Sequence, residues 1–229
     1  MSAASQITFE KDIIKTSAGD LEITFLGHGT LMLSFNGKII HVDPYSSVAD
    51  YSTLPKADVI LITHEHGDHL DLKALSLINK GNTAVICTER CSPSLSGGIV
   101  MKNGDIRTSG NITIEAVPAY NIKNGPAANQ VFHPKGQGNG YVLTFGDKRI
   151  YIAGDTENTP EMKALKDIDI AFLPMNLPYT MTPEMVTDAV TAFKPKILYP
   201  YHYGETNTQK LLDLMKNNEV TEVRIRKMK

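Results

Sequence analysis

The chain has 229 residues, 41% of them hydrophobic and 21% charged, which excludes a disordered, collagen-like or coiled-coil polypeptide. Lys and Arg number 23 against 25 Asp and Glu, so the formal charge of −2 supplies no global basic field toward nucleic acid or anionic membrane. No run of about 18 apolar residues is present, and Met1 to Thr8 has neither the basic nor the apolar region of a signal peptide, so a cytoplasmic chain without a transmembrane segment is expected.

In chain order, the first part reads as short strands: Leu21 to Leu26, Thr30 to Phe35 and Lys38 to Val42. Asn36-Gly37 between the last two is a hairpin signal, because both residue types tolerate positive φ. Ala57 to Thr63 is a buried-strand run that ends in a polar cluster, followed by helical spacing from Leu70 to Lys80 that Gly81 closes. Further strands are expected at Thr83 to Cys87, Ile112 to Val117, Tyr141 to Phe145, Arg149 to Ala153, Ile168 to Leu173, Lys196 to Tyr199 and Glu222 to Ile225. Helices are expected at Pro160 to Leu165, at Glu184 to Phe193 with Thr182 as N-cap and Pro183 in the first position, and at Gln209 to Met215. No Pro, Gly and Ser-rich linker and no repeat period divides this succession, so residues 1–229 read as one domain of sheets covered by helices. Cys87 and Cys91 lack the second pair a zinc ribbon needs and read as free thiols.

The chemistry concentrates in Thr63-His-Glu-His-Gly-Asp-His-Leu, which places His64, His66, Asp68 and His69 within six positions. Residues two apart on an extended segment point the same way, so His64 and His66 can face one ion. Gly67 then lets the chain turn, and Asp68 and His69 can approach the same space from another direction. Imidazole and carboxylate are ligands that zinc accepts.

His64-x-His66-x-Asp68-His69 resembles the signature of the metallo-β-lactamase superfamily of metal-dependent hydrolases. Two later motifs strengthen the resemblance: Ala153-Gly154-Asp155-Thr156 is similar to the family's Gly-Asp-Thr, and Tyr201-His202-Tyr203-Gly204 to its final His. Leu26-Gly27-His28-Gly29-Thr30 and Val42-Asp43-Pro44 resemble the branch that contains ascorbate-phosphate lactonases and the N-acyl-phosphatidylethanolamine phospholipase D. The resemblance implies an α+β, four-layer αββα sandwich with a dinuclear site for two Zn2+, with Mn2+ or Fe2+ as other occupants. Asp155 would bridge the ions, and Asp68, His69 and His202 would complete the second position.

For the first position, the phospholipase branch has a His after Pro-Ala-x, whereas here Pro118-Ala119-Tyr120 is followed by Asn121. His133 is the unused His in that interval and is taken as the third ligand beside His64 and His66. The rival readings are an ion held by His64, His66 and Asp155 with water, or ligation by Asn121. The resemblance sets His28 beside the metals, as a residue that orients ligands or contacts substrate or as plain turn structure. Asp43 resembles an acid that orients a ligand imidazole, against the alternative of an Asp-Pro turn. His41, on an alternating strand, reads as a satisfied sheet residue. Lys135 and Tyr179 lie in segments that would flank the metals, either to touch substrate or as a solvated Lys and a packing aromatic. Asn176-Leu177 stands where relatives tend to carry two Gly, so lactonase or phospholipase specificity does not carry over directly from the resemblance.

The implied activity is hydrolysis of an ester, lactone or phosphodiester bond in a small-molecule substrate by metal-activated water, with Asp68 orienting the nucleophile. Alternatives are a nuclease or phosphodiesterase acting on nucleic acid, against which the charge of −2 argues, and a redox member of the superfamily with an iron site. The basic C-terminus, from Arg224 to Lys229, reads as a solvated edge strand and tail.

Overall fold

The computed structural model describes residues 8–229, so most of the segment Met1 to Thr8 lies outside the described residues. Fourteen strands form two seven-stranded sheets, each ordered as the chain runs. The first sheet contains β1 (Glu10–Thr16), β2 (Gly19–Gly27), β3 (Thr30–Phe35), β4 (Lys38–Val42), β5 (Val59–Leu61), β6 (Ala84–Cys87) and β7 (Ile99–Val100). The second contains β8 (Ile106–Ser109), β9 (Ile112–Ala119), β10 (Gly138–Phe145), β11 (Lys148–Ile152), β12 (Ile170–Pro174), β13 (Ile197–Tyr201) and β14 (Glu222–Val223). In each sheet the first four strands form an antiparallel meander and the last three add in parallel.

The parallel strands need crossovers, and these supply the helices. Helix α1 (Leu72–Ile78) joins β5 to β6, while α2 (Pro160–Lys163), α3 (Pro183–Phe193) and α4 (Thr208–Met215) join the parallel strands of the second sheet. Three apolar layers follow. Leu21, Ile23, Phe25, Leu33 and Ile40 from one sheet meet Ile114, Tyr141, Leu143, Phe172 and Tyr199 from the other in a shared core. The outer face of the second sheet packs on α2, α3 and α4 through Met162, Val186, Val190, Phe193 and Leu211. The outer face of the first sheet packs on α1 through Ala74, Leu75 and Ile78. Helix, sheet, sheet and helix layers make this the αββα sandwich that the resemblance implies. No helix among the described residues is long and apolar enough to cross a membrane.

Local chemistry sets the element ends. Asn36 at φ 49° and Gly37 at φ 77° make the β3–β4 hairpin turn. Helix α1 starts two residues later than its periodicity predicts, because the Asp71 carboxylate caps the backbone N–H groups of Lys73 and Ala74. Leu70 stays in the preceding loop, where its N–H donates to the His66 carbonyl at 2.8 Å. Strands β1 and β8 are edge elements rich in exposed and charged residues, which hides them from an apolar-pattern reading.

The C-terminal segment corrects the expectation of a solvated strand and tail. β14 ends at Val223, and Arg226 reaches Asp12 in β1 with one guanidinium nitrogen 2.8 Å from each carboxylate oxygen. The Tyr199 hydroxyl also donates to Asp12. Burial alone would raise the Asp12 pKa, but the bonds from Arg226 and Tyr199 hold it below the usual carboxylate value. Met228 is buried in the shared core.

Candidate metal centre

Both sheets deliver their loops to one end of the sandwich. The segment Thr63 to Asp71 leaves β5, Asn121 to Gln137 joins β9 to β10, Gly154 to Thr159 leaves β11, and His202 follows β13. The β10 strand fixes the first of these: the Tyr141 hydroxyl donates to the Ile62 carbonyl at 2.8 Å and the Asn139 N–H to the Thr63 carbonyl at 2.9 Å. Gly154, at φ 65°, lies where an added Cβ would come within 2.9 Å of the Thr63 Cβ. No residue with a side chain lets the two loops approach so closely.

Donor atoms then converge. Among the described residues, three groups have their atoms within 4.8 Å of one another: His64, His66 and His133; His64, His69 and Asp155; and His28, Asp68, His69 and His202. His133 Nε2 lies 3.3 Å from His66 Nδ1 and 3.5 Å from an Asp155 oxygen. His202 Nε2 lies 3.6 Å from both Asp68 and Asp155, and His69 Nε2 is 3.5 Å from Asp155. Ligands about 2.0–2.2 Å from a tetrahedral ion stand about 3.3–3.6 Å apart along each edge, so these separations match a coordination polyhedron.

Hydrogen bonding supports the same fit. His64 Nε2, His69 Nε2, His202 Nε2 and Asp155 Oδ1 are buried and have no hydrogen-bond partner. Buried polar atoms are normally paired, and four orphans of ligand type facing one space would be satisfied together by bound cations. Burial, reinforced by the neighbouring His69, pushes the His64 pKa well below its ordinary value, and burial brings His133 down to about 4. Both rings are therefore neutral and able to donate a lone pair. Burial would raise Asp155 and Asp68, but the surrounding imidazoles hold both well below the usual carboxylate range.

A second layer of contacts fixes the rings. Asp43 is fully buried, and one of its oxygens lies 2.8 Å from His69 Nδ1 and 2.6 Å from the Thr63 hydroxyl, which donates to it. The other accepts from the Thr63 N–H at 2.8 Å. The acid thus keeps the Nδ1–H tautomer of His69 and turns Nε2 inward. Burial works against protonating His69, but Asp155 and Asp43 raise its pKa to about 9, so without an ion the ring carries a second proton, on Nε2, that a bound cation would displace.

Asn121 does the equivalent for His133. Its Oδ1 accepts from the His133 N–H at 3.0 Å and lies against His133 Nδ1, while its Nδ2 donates to the Tyr179 carbonyl at 2.9 Å. Asn121 therefore stands behind His133 and offers no free oxygen to the centre. Glu157, buried next to Asp155 and Thr156, accepts from the backbone N–H groups of Lys123 and Asn124 at 3.1 and 2.6 Å.

His28 meets Asp68 at 2.9 Å through Nε2, and its ring lies 3.7 Å from that of His202. The 2.9 Å separation is a hydrogen-bond length and is shorter than a polyhedron edge, so His28 orients Asp68. The His28 carbonyl accepts from the His202 N–H at 2.9 Å. His28, Asp43 and His202 all have positive φ, at 53°, 44° and 46°. Strained conformations of this kind concentrate at functional sites.

A model for the beta-lactamase superfamily domain matches residues 22–202. The chain belongs to that superfamily. Among superfamily relatives, it is 31% identical over 216 residues to a protein of Lysinibacillus sphaericus called a UPF0173 metal-dependent hydrolase, covering 87% of this chain and 95% of the relative. A crystal structure from Parabacteroides distasonis, of a protein provisionally described as a metal-dependent hydrolase, superposes with a TM-score of 0.92 at 53% identity, covering 97% of this chain and 100% of that one. A metallo hydrolase from Ignicoccus hospitalis, at 22% identity and a TM-score of 0.75 over 91% of this chain and 95% of that one, shares the superfamily fold.

The remaining residues singled out in the sequence fall at the edge of this superfamily centre or outside it. Tyr179 lies at its mouth, with its ring 5.0 Å from that of Phe132. Lys135 is engaged with Glu161 at 2.6 Å and lies over the Tyr120 ring. His41 is buried in β4, and its Nε2 lies 3.0 Å from the Pro55 carbonyl. Cys87 and Cys91 are free and buried. Thr63, Asn139 and Glu157 are contributors the motif reading missed. Glu157 is adjacent to Gly-Asp-Thr, but nothing in its spacing marks it.

Proposed function

We propose that the protein is a metal-dependent hydrolase holding two divalent cations, with zinc as the first expectation. The observation that carries this reading is the convergence of buried ligand atoms, several of them without a hydrogen-bond partner, at separations of polyhedron-edge length. His64, His66 and His133 would hold one ion, and Asp68, His69 and His202 the other, with Asp155 shared. Two such ions would supply Lewis-acid polarisation of a substrate oxygen and a lowered water pKa.

The chain's own groups supply orientation and proton handling. Asp68, held ionised and fixed by His28, accepts a hydrogen bond from the attacking water and sets its direction. Asp43 and Asn121 hold the His69 and His133 rings so that each Nε2 faces the centre. The bond attacked is an ester, lactone or phosphodiester in a small molecule.

The test is elemental analysis combined with a substrate panel. About two ions per chain are expected, with hydrolysis abolished by chelator and restored by zinc or manganese. Asp155→Ala should lose both ions and all activity. Full activity of metal-free protein would overturn the reading.

A further inference from the structure

Beside the metal centre two loops expose large apolar side chains. Ile122, Leu177 and Tyr179 are 54%, 52% and 46% exposed, and they lie in two loops joined to each other. The joins are the Asn121 Nδ2 bond to the Tyr179 carbonyl and the Asn124 Nδ2 bond to the Thr180 carbonyl at 2.8 Å. Phe132 connects this surface to the centre: its ring packs on Tyr179, and it lines the same cleft as His64, His66, His133 and Asp155. Across residues 121–134 and 176–182 the one Lys, Arg, Asp or Glu is Lys123, in a chain where such residues make up 21%. Exposed large apolar side chains gathered in one place mark binding surfaces, whereas singly scattered ones do not.

We infer that these two loops form an apolar shelf that receives the uncharged hydrocarbon portion of the substrate while its scissile bond lies over the metal centre. The inference rests on the hydrolase reading for the identity of its occupant. The argument for that occupant is continuity: Phe132 belongs to both the shelf and the metal cleft, so a molecule reacting at the centre extends onto the shelf. Two charged pairs near the cleft are already committed, Lys135 to Glu161 and Glu65 to Arg90, and among the described residues of the two loops themselves Lys123 is the one cation.

The shelf is tested on the zinc-loaded full chain with the uncharged fluorophore N-phenyl-1-naphthylamine, displaced by primary alcohols of four to ten carbons. Saturable binding is expected, with displacement strengthening about threefold per methylene. Ile122→Ser with Tyr179→Ser should weaken binding about tenfold without changing the melting temperature. Asp155→Ala should leave binding in place, because the probe needs no ion and no turnover. A parallel arm measures kcat/KM for p-nitrophenyl esters from acetate to octanoate. The double variant should lose about tenfold on octanoate and little on acetate. Failure to bind the fluorophore, equal binding by the double variant, or a double variant that merely turns a dimer into a monomer would each overturn the shelf. Hydrolysis of nothing in a wider panel, with probe binding intact, would instead strike the hydrolase reading.

Discussion

Substituting Asp43 by Asn isolates one function of a buried carboxylate. The backbone there is at φ 44°, a conformation Asn adopts with little strain, so the loop keeps its course. The amide oxygen can still accept from the Thr63 N–H. The amide nitrogen would then face His69 Nδ1, where it presents a hydrogen in place of an acceptor. His69 relieves the conflict by moving its proton to Nε2, the atom that faces the centre. Loss of such an orienting partner costs about 10–100-fold in metal affinity, or about 1.4–2.8 kcal/mol. A competitive titration against a chromogenic chelator measures it, and thermal melting of the metal-free protein serves as the control. The second ion, held through His69, should weaken well before the first. Unchanged affinity at both positions in a folded Asp43→Asn protein would refute the tautomer argument.

Other consequences are equally direct. Burial lowers the His41 pKa from 6.5 to about 4, so its neutral form contributes stability fully present above pH 6.5 and lost as pH falls toward 4. That gap corresponds to ~3 kcal/mol, and in His41→Gln the urea-unfolding free energy should lose this part of its acid dependence; an identical pH profile would contradict it. In Gly29→Ala the new Cβ would lie 3.0 Å from His69 Cε1 and 3.6 Å from His202 Cδ2, so the second ion should bind about tenfold more weakly while melting changes little. Asn121→Ala frees the His133 ring and should weaken the first ion by about 10–100-fold, with Asn121→Asp recovering much of the loss because it restores the acceptor. First-ion affinity in Asn121→Ala equal to that of the unsubstituted protein would show that His133 needs no such partner.

The candidate donors are legible in the sequence where they lie close in the chain. His64, His66, Asp68 and His69 stand within six positions, and His202 and Asp155 each end a recognisable apolar strand. His133 rests on weaker signals, as the remaining His of its interval and by a spacing before a strand that resembles other superfamily members. Asn121, which the sequence allowed as a ligand, is instead the group that aims His133, a distinction that depends on which way a loop folds back across 12 residues. In the fold, the hairpin and the buried parallel strands announced themselves through turn chemistry and continuous apolar runs. β1 and β8 did not, because an edge strand satisfies only one neighbour and shows half its residues to water. Arg226 looked like a solvent-exposed tail because its partner, Asp12, is 214 positions away.

Each sheet is made from its own half of the chain, and the donors are divided between those halves. His64, His66, Asp68 and His69 belong to the first, and His133, Asp155 and His202 to the second. Ions bound there would act as clasps between two sequentially separate leaves, in the way a cross-link closes a long loop. Metal loading then adds to the shared core in holding the leaves together, so after protease cutting near the crossover between β7 and β8 the two pieces should part at a lower urea concentration once a chelator removes the ions.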